Sequence, residues 1–127
     1  TILVYNIGFE RGKLKELAVH FPNYAEPIRS IIERMDDLMI PFQKRYVYLP
    51  EMRGSYSIKV VLPALVPELS YKDLNIQEGG TASSTYANLH LVESQAQIEQ
   101  IRKDLLAYCE LDTYAMVKIL EKLGEII

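Results

Sequence analysis

Apolar positions recur along this chain with two different periods, and the changes of period divide it into strand and helix units. Ile2 to Tyr5 is a short β-branched and aromatic run closed by Asn6 and Gly8. It predicts a buried strand that ends in a turn. In "FERGKLKELAVHF" Leu14, Leu17, Ala18 and Phe21 recur at helical spacing until Pro22 stops the pattern. A strand running straight into a helix is one unit of α/β architecture. A second helix over "AEPIRSIIERM" sets Ile28, Ile31, Ile32 and Met35 on one face, with Pro27 in its first turn. "MDDLMI" reads as a second strand, because a parallel partner for Ile2–Tyr5 fits after a helical crossover of this length.

Residues 41–57 hold Pro41, Pro50, Gly54 and the tyrosines 46, 48 and 56, which predicts an irregular excursion over the surface. "SIKVVLPALVPEL" predicts a helix opened at Ser57 and stopped by its prolines, with a strand through Val60 and Val61 as the rival. "SYKDLNIQEGGTASS" reads as a loop turned by Gly79 and Gly80, and "TYANLHL" as a short helix. From Ser94 onward Ile98, Ile101, Leu105, Ala115, Ile119 and Leu123 give one long helix, or two joined near Glu110, ending at Gly124. The sum is a single helix-rich α/β domain over residues 1–127, with too few strands for a complete sheet.

Two acids disturb this pattern. Asp112 stands on the stripe formed by Ile98, Ile101, Leu105, Tyr108, Ala115 and Ile119. Glu10 heads the stripe of Leu14, Leu17 and Phe21. An ionised carboxylate on a buried face costs several kcal/mol, roughly, unless something pairs with it. The plain readings are a first-turn acid favoured by the helix dipole for Glu10 and an N-cap of a separate final helix for Asp112. Taken together, the two acids admit another account, in which both converge on a divalent cation.

Composition narrows the field further. At 127 residues, 49% hydrophobic and 24% charged, the chain is an ordinary globular domain. Its apolar runs are too short to span a membrane and no signal peptide opens it, so a cytoplasmic location is expected. It begins at Thr1 directly in a strand-like run, which suggests a segment of a longer protein. The lone Cys109 excludes an internal disulfide and a multi-cysteine zinc site, and is expected to be a structural thiol. His20 and His90 have no ligand spacing and are given helix-end or surface roles. A net charge of −3 argues against a broad basic face for nucleic acid, though a local grip through metal ions remains open. Lys44, Arg45 and Arg53 lie among the tyrosines of residues 41–57, where stacked bases are one reading. A solvated loop packed by its own rings is the plainer one.

"YNIGFE" resembles the second motif of the DnaQ-like, DEDD-type 3′–5′ exonucleases of the ribonuclease H-like superfamily. Asn6, Phe9 and Glu10 fill its positions, with Glu where that superfamily usually has Asp. "YCELD" resembles the third motif of the tyrosine subtype, filled by Tyr108 and Asp112; residues four apart on a helix share a face. The layout "YNxxFE…LKEL", "GSxSIKxVLPAL" and "YCxxDTxAMVxIL" is similar to an uncharacterised bacterial domain of that superfamily, over nearly the whole chain.

The resemblance implies two-metal phosphodiester hydrolysis at a DNA or RNA 3′ end, with four acids holding two Mg²⁺ or Mn²⁺ ions. On it, Glu10 and Asp112 are metal-site acids and Tyr108 orients the attacking water. Asn6 shapes the strand-to-helix turn, with Phe9 beside it, and Asp37 is a further polar group at a strand end. The first motif, an Asp-x-Glu on an early strand, occurs nowhere in the chain. The fold implied is therefore a partial ribonuclease H-like α/β fold with a small parallel sheet and its first strands missing. Such a segment is expected to be inactive alone and to bind no ions by itself. It is expected to pair with the rest of its parent chain, or with a second copy through an exposed strand edge. The alternatives are a non-catalytic binding member of the same fold and a purely structural α/β domain.

Overall fold

In the computed structural model, which describes residues 1–127, two short strands pair in parallel and helices make up the rest. β1 (Ile2–Val4) lies beside β2 (Met35–Asp37), with Ile2 opposite Met35 and Val4 opposite Asp37, and no third strand joins them. Parallel neighbours need a crossover. Here it is a pair of helices packed on each other, α1 (Ile7–His20) and α2 (Ala25–Glu33). α3 (Ile40–Gln43), α4 (Ile58–Leu65), α5 (Gly79–Ala87) and the long α6 (Gln95–Ile126) follow. No helix is long and apolar enough to cross a membrane.

A carboxylate fixes the step from β1 into α1. Asp37, at the end of β2, accepts the backbone N–H groups of Asn6 (3.0 Å) and Met39 (2.9 Å) on Oδ1. Its Oδ2 accepts the N–H of Ile7 at 2.9 Å. Asn6 adopts the left-handed conformation, φ 73°, which asparagine tolerates better than most residues. Negative charge at the first N–H groups of a helix is favoured by their unpaired donors and by the helix dipole. Asp37 thus ties the neighbouring strand end to the turn that carries Phe9 and Glu10.

The core lies between α4 and α6. Val61 and Leu62 of α4 meet Ala115 and Ile119 of α6, and all four are completely buried. Phe42, Met52, Val66, Tyr71 and Leu123 close around them. Ser94 caps α6, its hydroxyl accepting the Gln97 N–H. The helix runs unbroken past Glu110 and beyond Gly124, because the core contacts at Ala115 and Ile119 continue the same face. Asp112 is therefore inside a helix and is not an N-cap.

Three other expectations are corrected. Gly79 and Gly80 do not turn a loop but form the first residues of α5, which absorbs part of the "TYANLHL" helix. The 41–57 excursion contains α3 and a single 3₁₀ turn, Pro50–Met52, and sends Phe42 and Met52 into the core. α1 has no buried residue. Its Leu17 and Phe21 stay about half exposed because α1 packs chiefly on α2 and β2 and no element covers its outer face. Glu10, at the head of that stripe, is exposed too.

Truncation should separate these two helices. Ile119→Ala is expected to lower the unfolding free energy by about 2–5 kcal/mol. Leu17→Ala should cost under about 1 kcal/mol. Urea denaturation followed by circular dichroism compares the two, and equal losses would contradict this placement of the core.

Candidate functional site

Asp112 is half-buried on α6, and a hydroxyl meets it there. Tyr71 donates its O–H to Asp112 Oδ1 at 2.5 Å. Tyr71 is itself only 3% exposed and belongs to the core cluster. The sequence brings it there by a short 3₁₀ turn, Tyr71–Asp73, whose Ser70 cap accepts the Lys72 N–H at 3.1 Å. A neutral donor is the natural partner for a carboxylate on an otherwise apolar stripe, since it satisfies the acid without burying a second charge. Nothing in the pattern around "LSYKDLN" marks Tyr71 as this partner; only the packing of the turn against α6 does.

Tyr108, one helical turn before Asp112, packs against Tyr71 with ring centroids 6.0 Å apart and tilted by 59°. Burial, helped by the Asp112 carboxylate, pushes its pKa up to about 12. The Tyr71 phenol is raised further, first by burial and then by its hydrogen bond to Asp112. Tyr5, at the end of β1, is raised by burial and by the charge of Asp37, and donates to the Tyr56 carbonyl at 2.6 Å. All three phenols are protonated at neutral pH; Tyr71 and Tyr5 use their O–H groups as donors within the fold.

Tyr108 and Asp112 face a cleft of about 1060 Å³ between α5, α6 and the start of α1, with Tyr71 behind them in the core. Its walls are mostly apolar, with Leu105 and Leu106 on α6, Tyr86 on α5 and Phe9 on α1. Asp112 is the one acid in the lining and Arg102 the one base. Gly79 opens α5 against the Tyr108 hydroxyl, and a Cβ there would come within 3.4 Å of that oxygen.

The structure thus places Phe9, Tyr108 and Asp112 around one cleft, although they come from opposite ends of the chain. Glu10, next to Phe9, is exposed in the first turn of α1 and is not part of the lining. Asn6 and Asp37 sit beneath the α1 turn, and every hydrogen bond of Asp37 is to backbone N–H groups. Cys109 is exposed on the cleft wall, since it lies off the buried face of α6. It is not a buried structural thiol. His20 ends α1, and the His90 ring lies 2.8 Å from the Ala87 carbonyl.

Two divalent cations need several oxygen ligands held together. No three His, Cys, Asp or Glu side chains of this chain are grouped closely enough to hold one ion. One oxygen of Asp112 is already bonded to Tyr71. The chain's own residues do not fit a complete two-cation centre.

Residues 1–57 match the family model described as "Domain of unknown function (DUF2779)". The chain is 31% identical over 136 residues to an uncharacterised protein of Ureaplasma parvum serovar 3, covering 94% of this chain and 20% of that one. It is 26% identical over 131 residues to an uncharacterised protein of Mycoplasma genitalium, with the same coverage, 94% and 20%. The chain spans about a fifth of the length of these curated relatives. No solved structure matches it.

Two outcomes check this geometry. Tyr71→Phe leaves Asp112 without its donor and should cost about 1–3 kcal/mol of stability. Stability should also fall in alkali. The unfolded phenols ionise near their ordinary value of 10.0, whereas folded Tyr108 holds its proton to about 12. Between these values the unfolded chain binds fewer protons, so the contribution is intact below pH 10 and lost as pH rises through 12. Urea unfolding from pH 8 to 12 measures the decline, and Tyr108→Phe should make it shallower.

Proposed function

We propose that this chain supplies the Tyr108–Asp112 part of a metal-dependent, DEDD-type site that hydrolyses phosphodiester bonds at a DNA or RNA 3′ end. The remaining acids come from elsewhere in a longer protein. The observation that carries the reading is the convergence of Phe9, Tyr108 and Asp112 on one cleft. These residues belong to the two motifs that resemble the tyrosine subtype of that superfamily, and nothing in their separation along the chain requires them to meet.

Each residue has a definite part in this reading. Asp112 brings negative charge to the end of the cleft, held in one orientation by the Tyr71 hydroxyl. Tyr108 keeps its proton at neutral pH and offers it to a water or a phosphate oxygen. Glu10, exposed beside Phe9, is available to a site completed from outside the chain. The unpaired edge of β1 is where we place the rest of that protein or a second copy, because an open parallel pair lacks the neighbours such sheets normally have.

The incomplete set of acids supports a second reading, a non-catalytic member of the same fold that holds a strand without cutting it. A manganese-dependent nuclease assay on the full-length protein containing this chain separates the two. Asp112→Asn should lower the rate by about 100-fold or more, given that even residues supporting a metal ligand are worth about 10–100-fold. Tyr108→Phe should lower it by about 10²-fold or more. Hydrolysis unchanged by Asp112→Asn would reject the assigned role, and absence of hydrolysis with retained binding would favour the second reading.

A further inference from the structure

The segment after α3 carries a feature that the cleft does not use. Four of the five ion pairs in the molecule lie within single helices, three residues apart, and the fifth joins Lys59 to Glu78. Lys44, Arg45 and Arg53 take part in none of them, although the chain as a whole is negative. All three are exposed. Two of them face aromatic rings instead, with Lys44 Nζ 6.0 Å from the Tyr46 ring centroid and Arg45 Cζ 5.9 Å from that of Tyr48. The one acid in residues 44–56 is Glu51, which has no ion pair either.

This surface is built and is not a loose loop. Val47 and Leu49 pack onto the core from alternate positions, and Met52, 1% exposed, enters it from the 3₁₀ turn. Tyr46 and Tyr48 point outward, 74% and 46% exposed. The Gly54 N–H donates to the Tyr48 hydroxyl at 3.1 Å, so this side chain bridges from Arg45 to the Arg53–Gly54 turn. Arg45 and Arg53 both occupy the left-handed region, φ 57° and 48°. That conformation is unfavourable for side chains of this kind, and the packing beneath holds them in it. The far end of the segment is bonded to β1, the Tyr56 carbonyl accepting the Tyr5 hydroxyl. The segment is thereby joined to the turn that carries Phe9.

We infer that Lys44, Arg45, Arg53, Tyr46 and Tyr48 form a binding surface for single-stranded nucleic acid. The three cations take backbone phosphates, and the exposed tyrosine faces stack bases. Unpaired cations alone would suit any polyanion; aromatic faces interleaved with them suit a strand whose bases are unpaired. Where the strand leads rests on the nuclease reading above, in which this surface delivers it toward the cleft. Binding to the surface needs no hydrolysis, so the two ideas fail separately.

Fluorescence anisotropy of the 127-residue chain with a labelled single-stranded oligonucleotide, across a range of salt concentrations, tests the proposal. Replacing Lys44, Arg45 and Arg53 together by Ala should weaken binding and lower the salt slope by about 2, near 0.7 for each phosphate that is no longer neutralised. Tyr46→Ala should weaken binding by about 5- to 100-fold and leave the salt slope unchanged. An abasic oligonucleotide should bind the unsubstituted chain at least as weakly as the intact one binds Tyr46→Ala, because it loses stacking on Tyr48 as well. Variants are compared only where circular dichroism and melting match the parent. The proposal is overturned if the triple variant binds as the parent does, or if the abasic strand binds equally well. It is overturned also if an acidic peptide of equal charge competes as effectively as the oligonucleotide, which would assign the surface to a protein partner.

Discussion

A single hydrogen bond lets this fold carry an acid on the face of its longest helix. Without the Tyr71 hydroxyl, the Asp112 carboxylate would sit half-buried between Tyr108 and the completely buried Ala115 with no protein donor. A half-buried polar group that loses its partner is costly to the packing around it. With it, the stripe on α6 stays continuous and the helix runs from Gln95 to Ile126. The same contact fixes which way the acid points, because Tyr71 is immobilised in the core and the carboxylate is bonded through one oxygen. The tilted Tyr108 ring packs beside this pair, and its hydroxyl lies against the first residue of α5. Stability and site geometry therefore depend on the same few atoms.

A similar arrangement holds at the other end of the site. Asp37 commits both carboxylate oxygens to backbone N–H groups of the β1–α1 turn and of its own strand end. It is a structural acid, and its value lies in presenting Phe9 to the cleft from a rigid turn. Of the acids singled out in the sequence, then, Asp37 is occupied with the backbone, Asp112 is held by a neutral donor and Glu10 is exposed. Only the last two are free of the backbone, and two separated acids do not make a complete cation centre within this chain.

Much of this was legible in the amino acids. Helical spacing gave α1, α2, α4 and α6 near their observed bounds, a continuous apolar run gave β1, and β2 followed from the length of the crossover between parallel strands. The stripe on α6 also exposed Asp112 as the residue out of place. Other features were not legible, for physical reasons. Gly79 and Gly80 are poor helix formers, and α5 starts at them through contact with α6 and not through propensity. The stripe on α1 is short and is diluted by polar residues around the helix, and its outer face finds no partner within these residues. Tyr71 lies in a turn where no periodicity applies, so its role as the donor to Asp112 belongs to tertiary structure alone.

If Asp112 is present for chemistry and Tyr71 serves to hold it, the pair as a whole contributes little to stability. Replacing both partners of a buried hydrogen bond by apolar groups of similar shape is close to neutral, whereas removing one is costly. The most direct test is the unfolding free energy of the double variant Tyr71→Phe with Asp112→Leu, measured by urea denaturation. This account predicts a value within about 1 kcal/mol of the parent, or above it. A loss of several kcal/mol would mean that the fold itself requires the acid, and would contradict the claim that the acid is there for the site.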